Sequence, residues 1–450
     1  MSLRFGLLIV AILVAECGMP VRAHAVPTFA RKYETSCLTC HRQFPRLNEV
    51  GETFRLRGYR FVDDASLTKG RVVSMGRKAF EKLFPEAVWP SDMPAFPPIS
   101  ARLVSDFTVD ATGSRPARTQ FEAPHTLDFH VAGTMGEHIA FWGEVELELE
   151  DRSVVAQTGG WLQFGGLLHT GGAVNLRLGR VGRSGMGLFT ARDSNRLTWT
   201  HYLYGRWRLP YPEGFAAPNR FRLHASQPGL EVFGFGRRWQ YSFGVANGGD
   251  GGNRDESSAK DVYGQLTLKL GGLGFDGVAP TTDDAASPRS SWLMVDVFAY
   301  RGWASVRDGE EDQARTDAFW QVGAGIAVDS EVPSLAATGG CAVGRNSNPY
   351  ARVTPAPASS RSCFLEAQWG MFPWLLSVVR YETLSMRLPE IAGLGRRHEW
   401  ARGVVSLGAL VRANVRLVLE GRWWLSGRNG SDRIDSRESD AALLRLDFAV

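Results

Sequence analysis

From about residue 100 onward, apolar and polar residues alternate with a period of two. In HIAFWGEVELELE, Ile139, Phe141, Val145, Leu147 and Leu149 take one side, and His138, Glu144, Glu146 and Glu148 take the other. In NVRLVLEGRWWL, Val415, Leu417, Leu419, Trp423 and Leu425 alternate with Arg416, Glu420 and Arg422. In AFWQVGAGIAV, Trp320, Val322, Ala324, Ile326 and Val328 alternate with Gln321, Gly323 and Gly325. Such alternation predicts strands with one apolar and one polar face. Sixteen segments are predicted, near residues 101–110, 125–135, 138–149, 159–168, 173–180, 217–225, 228–236, 237–247, 260–270, 291–302, 316–328, 362–371, 374–384, 399–411, 413–425 and 439–449.

Strands of about ten residues suit a tilted crossing of a bilayer. Short connectors, as at 236–237, alternate with long polar ones such as NGGDGGNRDESSAKD. That asymmetry predicts an antiparallel outer-membrane β-barrel rather than a soluble sandwich or a propeller, since no blade-length repeat is present. Trp292, Trp303, Trp374 and Trp423 fall near strand ends, as interface girdles do. The last stretch, ALLRLDFAV, resembles the C-terminal strand of bacterial outer-membrane proteins, although it ends on Val450 with Phe448 two residues before.

Before residue 100 the pattern is helix and loop. Leu47, Val50 and Phe54 share one helical face, and Gly58 is a predicted C-cap. A second helical stretch is predicted at SMGRKAFEKLF. The prolines of WPSDMPAFPPIS exclude regular structure there. The predicted organisation is a signal peptide over 1–25, a small haem-binding segment over 26–98 and the barrel over 99–450. The signal reading rests on Arg4, the apolar run Phe5 to Ala15, and the small-x-small site Ala23-His24-Ala25. The run is too short to span a bilayer. A net charge of +4 gives no argument for a nucleic-acid partner.

Export places the cysteines in an oxidising compartment. Cys341 and Cys363 are predicted to form a disulfide across a surface loop. Cys37 and Cys40 belong to CLTCH. At this spacing each can form a thioether to a haem vinyl group, with His41 ligating iron from the proximal side. A redox pair would need a βαβ setting, and a zinc site two further ligands nearby; neither is visible in the sequence. Met93, beside a proline in DMPAFPP, is a candidate distal ligand that would raise the potential. Met75, His125 and His130 compete for that position.

PTFARKYETSCLTCHRQFPRLNEVGETFRLRGYRF, followed by the sixteen-strand pattern, resembles the fused monohaem cytochrome c–porin family. The resemblance is sharp over residues 27–61, at Phe29-Ala30-Arg31, the haem-binding residues, Pro45, Leu47-Asn48, Gly51, Phe54 and Gly58-Tyr59. It implies one covalent haem c at the front of a porin-like barrel. It implies electron transfer between an extracellular donor, ferrous iron in the best-known members, and periplasmic cytochromes. It carries no distal ligand over. A solute porin with a structural or sensory haem segment, and a periplasmic haem enzyme, are the competing expectations. Outer-membrane lipid is an expected partner, and porin-like barrels often form trimers.

Overall fold

A computed structural model of the chain describes residues 28–67, 72–73, 82–83, 93–94, 99–110, 118–150, 153–181, 196–212, 216–248, 257, 259–278, 291–307, 314–330, 334–391, 395–427 and 440–449. The expected export signal over 1–25 and most of the stretch between 68 and 98 lie outside the described residues. Sixteen antiparallel strands close into one barrel, each paired with its sequence neighbour. They are β1 (Ile99–Asp110), β2 (Thr119–Met135), β3 (Ile139–Glu150), β4 (Ser153–Phe164), β5 (Asn175–Val181), β6 (Gln227–Phe235), β7 (Trp239–Ala246) and β8 (Asp261–Gly271). Then follow β9 (Trp292–Arg307), β10 (Ala314–Ser330), β11 (Leu335–Asn346), β12 (Ala358–Phe372), β13 (Leu375–Arg387), β14 (Arg397–Arg412), β15 (Val415–Ser426) and β16 (Ala441–Ala449). β16 pairs with β1 to close the seam. Closure leaves no unpaired sheet edge, which a hydrocarbon environment does not tolerate.

The alternation decides the two faces. Outward positions such as Val297, Ile326, Leu365, Val379, Val405 and Leu419 are exposed and apolar. Inward positions such as Asp296, Glu366, Arg380, Glu382 and Arg402 are polar and buried. An apolar outside around a polar lumen is the arrangement of a barrel that spans a bilayer, and such bacterial barrels stand in the outer membrane. Trp374 and Trp423 are exposed as girdle residues should be. Trp292 instead packs against the lumen's aromatic cluster.

Three expectations are corrected. Residues 217–225 form no strand; they belong to the long connection after β5, which folds into the lumen, where Phe221 packs 4.6 Å from the rings of Tyr300 and Phe319. Phe221 and Leu223 alternate with polar residues because the segment is wedged between walls, not because it joins the sheet. The sixteenth strand is β11, in a stretch expected to be loop. Its sequence, LAATGGCAVGRN, is rich in Gly and Ala and carries little strand signal. Cys341 and Cys363 do form a disulfide, but not across a loop: they are directly opposed on β11 and β12, with Cα atoms 4.1 Å apart.

Candidate haem-binding site

The N-terminal segment begins with α1 (Thr28–Tyr33). Cys37–Thr39 then forms a single 3-10 turn, with Ser36 Oγ accepting from Leu38 N as its cap. His41–Gln43 and Arg46–Leu47 pair as a minimal hairpin, and α2 (Glu49–Leu56) follows. As expected, Gly58 ends this helix. Gly58 has φ +69°, Gly58 N donates to Arg55 O (3.2 Å) and Tyr59 N to Phe54 O (2.8 Å), which is a Schellman cap.

Asn48 joins the helix to the cysteine turn. Its Oδ1 accepts from Gly51 N (3.0 Å), capping α2. Its Nδ2 donates to Thr39 O (3.1 Å) and Leu38 O (3.3 Å), and its backbone N to Cys40 O (3.0 Å). At Gly51 any Cβ would stand 2.1 Å from Cys40 O, so α2 approaches the turn only because that residue is glycine.

The hairpin returns Pro45 O to within 3.1 Å of His41 Nδ1. A carbonyl can only accept, so Nδ1 carries the proton and Nε2 keeps its lone pair. Backbone anchoring of the distal ring nitrogen is how ligating histidines are oriented. Burial holds the His41 pKa down, at about 4, so the imidazole is neutral at physiological pH. Cys37 and Cys40 are unpaired thiols. Burial raises both, Cys40 to about 12, where the nearby Cys37 adds to the effect. Redox-active CxxC pairs have depressed thiol pKa values, and burial here acts in the opposite direction. Nor do these cysteines fit structural zinc: the group of three or more potential ligands that gathers among the described residues is Asp106, Glu122 and His125, on the barrel wall. There Asp106 is already held by Arg445 at 2.7 and 2.6 Å. A buried and a half-buried thiol beside a neutral, backbone-oriented imidazole fit a covalent haem c.

The segment sits in the mouth of the barrel that carries the short turns. Arg42 pairs with Asp329 (2.7 Å) and donates to Ser334 Oγ (3.1 Å). Gln43 Nε2 donates to Gly408 O (3.0 Å), Thr53 Oγ1 to Gly274 O (3.2 Å), and Arg57 to Asp276 O (3.1 Å). Arg31 and Arg60 donate to Ile99 O (2.6 Å) and Ile139 O (3.1 Å). Glu49 forms a buried ion pair with Lys269. Short turns face the periplasm in such barrels, so this is the periplasmic mouth.

Deeper in the lumen a second element, residues 196–212 and 216–226 (segment 196–226), crosses the barrel. Glu420 accepts from Trp199 N (2.6 Å) and Thr200 N (2.8 Å), and Glu382 from Leu203 N (2.6 Å). Arg380 donates to Thr200 O (2.6 Å) and Arg402 to His201 O (2.6 Å). Of these wall residues, sequence reading named Glu420 alone as a polar-face position, and gave it no role. Their shared task is invisible without the fold, because they come from three strands and meet only across the lumen.

A run of rings links the two regions of wall and segment: Phe29 to Tyr59 at 4.7 Å, Tyr59 to Trp161 at 5.7 Å, Trp161 to Trp142 at 6.3 Å, and Trp142 to His130 at 6.4 Å. His125 and His130 are therefore wall residues, with His125 Nδ1 2.6 Å from Glu122. The backbone of Met93 pairs with that of Val73; its side chain, like all of Met75, lies outside the described residues.

No family model matches the sequence, and no curated protein matches it. Among solved structures the chain is similar to Salmonella typhi OmpF in complex with daunomycin, at 10% identity and a TM-score of 0.51, over 78% of this chain and 97% of that one. It is also similar to an anion-selective porin from Comamonas acidovorans, at 11% identity and a TM-score of 0.50, over 78% of this chain and 98% of that one. The fold is therefore that of a porin-like barrel.

Proposed function

We propose that this protein is an outer-membrane electron carrier with one covalent haem c in the periplasmic mouth of a porin-like barrel. When bound, the haem supplies a one-electron centre. Cys37 and Cys40 would provide the thioether sulfurs and His41 Nε2 the proximal nitrogen. Pro45 O fixes the imidazole plane, and Asn48 and Gly51 press α2 onto the cysteine turn. Arg42, Gln43 and Thr53 hold the segment in the barrel, which limits water around it. Electrons would pass between an extracellular donor, with ferrous iron as the family-derived candidate, and periplasmic cytochromes. The ring run from Tyr59 to His130 supports a path along the wall.

The observation that carries this reading is the His41 Nδ1 bond to Pro45 O beside two unpaired thiols. The test is a haem stain of the denatured protein, made in a host that matures c-type cytochromes, followed by a spectrum of the reduced form. A stained band lost in Cys37→Ala/Cys40→Ala supports the proposal. An unstained wild-type chain sinks it. A five-coordinate spectrum would favour a haem enzyme instead.

A solute porin is the second reading, favoured by the charged inward-folded segment 196–226. Free passage of sugars through the protein in liposomes would favour it over the electron carrier.

A further inference from the structure

The outer wall carries a feature that electron transfer does not use. On β1, β3, β4, β7, β8, β15 and β16 the outward positions hold no Asp, Glu, Lys or Arg. On β9 and β11 to β14 they hold Arg301, Arg307, Arg345, Arg361, Arg387 and Arg397, all exposed, and one acid, Glu399, which pairs with Arg397 at 2.6 Å. Strand register sets most of these in one line. Arg301 is opposite Trp320, Trp320 opposite Arg345, Arg345 opposite Ser359, and Ser359 opposite Arg387. Arg361 lies one step below the line, opposite Val343. With strands about 4.8 Å apart, successive arginines of the line stand about 10 Å from one another.

Among the described residues Arg301, Arg345, Arg361 and Arg387 meet no carboxylate, while Arg397, opposite Arg387 at the end of the line, is held by Glu399; Arg301 lies 5.3 Å from the Trp303 ring centre. The line runs near the rim that carries the long loops, the outer-leaflet side. Directly below it the outward wall is apolar, with Val322, Val343, Leu365 and Val379 exposed. The Cys341–Cys363 bridge ties together the two middle strands of the line.

We propose that this face binds a multiply phosphorylated lipid of the outer leaflet. Its phosphates would lie on Arg301, Arg345, Arg361 and Arg387, and its acyl chains on the apolar wall beneath. Guanidinium forks match phosphate oxygens in pairs, and the weak hydration of arginine suits a lipid interface. Fixed cations spaced along a line select a headgroup with several phosphates over one with a single phosphate. An apolar wall in continuity with them selects a lipid over a soluble anion.

The test uses the full chain in a non-ionic detergent. A bisphosphorylated glycolipid is titrated in and the shift of the thermal midpoint is read, with phosphatidylcholine and inorganic phosphate as parallel probes. The wild type is expected to respond to the glycolipid and not to the other two. The variant R301Q/R345Q/R361Q/R387Q is expected to bind at least about tenfold more weakly. The same four positions changed to Lys should recover part of the binding, because the charge remains. Unchanged heat-modifiable migration on a gel shows that the variant barrels fold. Equal glycolipid binding by wild type and the Gln variant overturns the proposal. So does an equal response to inorganic phosphate. So does a Gln variant that loses an oligomer and keeps its lipid, since the row would then be a contact between copies.

Discussion

The lumen holds two guests, and the wall holds them in opposite ways. The N-terminal segment reaches out with its own side chains and bonds largely to backbone carbonyls of the barrel: Ile99, Ile139, Gly274, Asp276 and Gly408. Segment 196–226 is instead gripped by side chains of the wall, and offers its backbone to Glu420, Glu382, Arg380 and Arg402. In the first case the information for docking lies in the guest's sequence. In the second it lies in the host's. The segment should therefore be sensitive to its own residues, and 196–226 to residues far from it in sequence.

The largest expected effect comes from the host side. Arg402→Ala removes the 2.7 Å partner of Glu382 and a donor to His201 O. Glu382 keeps Arg380 at 3.3 Å, so losing the closer of its two buried cations should cost about 3 kcal/mol, the low end for a broken buried pair, read as a lowered urea midpoint of the barrel in detergent. On the guest side, Gly51→Ala drives a Cβ into Cys40 O, a backbone atom that cannot turn aside. The strain should cost roughly 1–3 kcal/mol in seating of the segment alone. Limited proteolysis between residues 28 and 67 should speed up while the barrel's melting stays put.

The Glu49–Lys269 pair gives a smaller, pH-dependent effect. Burial raises the Glu49 carboxyl, and Lys269 only partly offsets it. Its folded pKa lies above the unfolded one, so the seated segment takes up the extra proton. It should be held more tightly as pH falls through that window and less tightly as pH rises. Protease protection of the segment, followed from neutral pH toward 4.5, should show this slope in the wild type and lack it in Glu49→Gln. The smallest effect is expected at Thr200. Its backbone is held from both sides, yet its buried hydroxyl has no hydrogen-bond partner. Thr200→Val should move stability by no more than about 0.5 kcal/mol. A larger change would mean that 196–226 docks through its side chains after all, and the contrast would collapse.

The same division explains what could be read from the chain. Strands with hydrophobic alternation, such as β3 and β15, were legible because a bilayer outside and a polar lumen inside impose opposite demands on neighbouring residues. β11 escaped because its pairing relies on close backbone approach. Any Cβ at Gly323 on the neighbouring β10 would stand 2.7 Å from Cys341 O. Residues 217–225 imitated a strand because packing inside a polar tube also alternates. Cys37, Cys40 and His41 were named as candidates from spacing alone. The duties of Pro45, Asn48 and Gly51 were not legible, since each acts on a residue three to eleven positions away through a turn whose shape only the structure gives. The wall residues that hold 196–226 had no local signature, because they are spread over β13, β14 and β15 and act on backbone groups about 180 to 220 residues away.

The place of the N-terminal segment has a consequence for assembly. The segment leads into β1, whose seam with β16 closes the barrel, and its Arg31 bonds Ile99 O at the start of that strand. It occupies the mouth that faces the compartment from which the chain arrives. No strand need be threaded past it, and it need not traverse the pore. On the proposed haem reading, a folded and loaded domain could thus be fitted as a stopper after the cask is hooped, which would separate cofactor attachment from membrane insertion in both space and time.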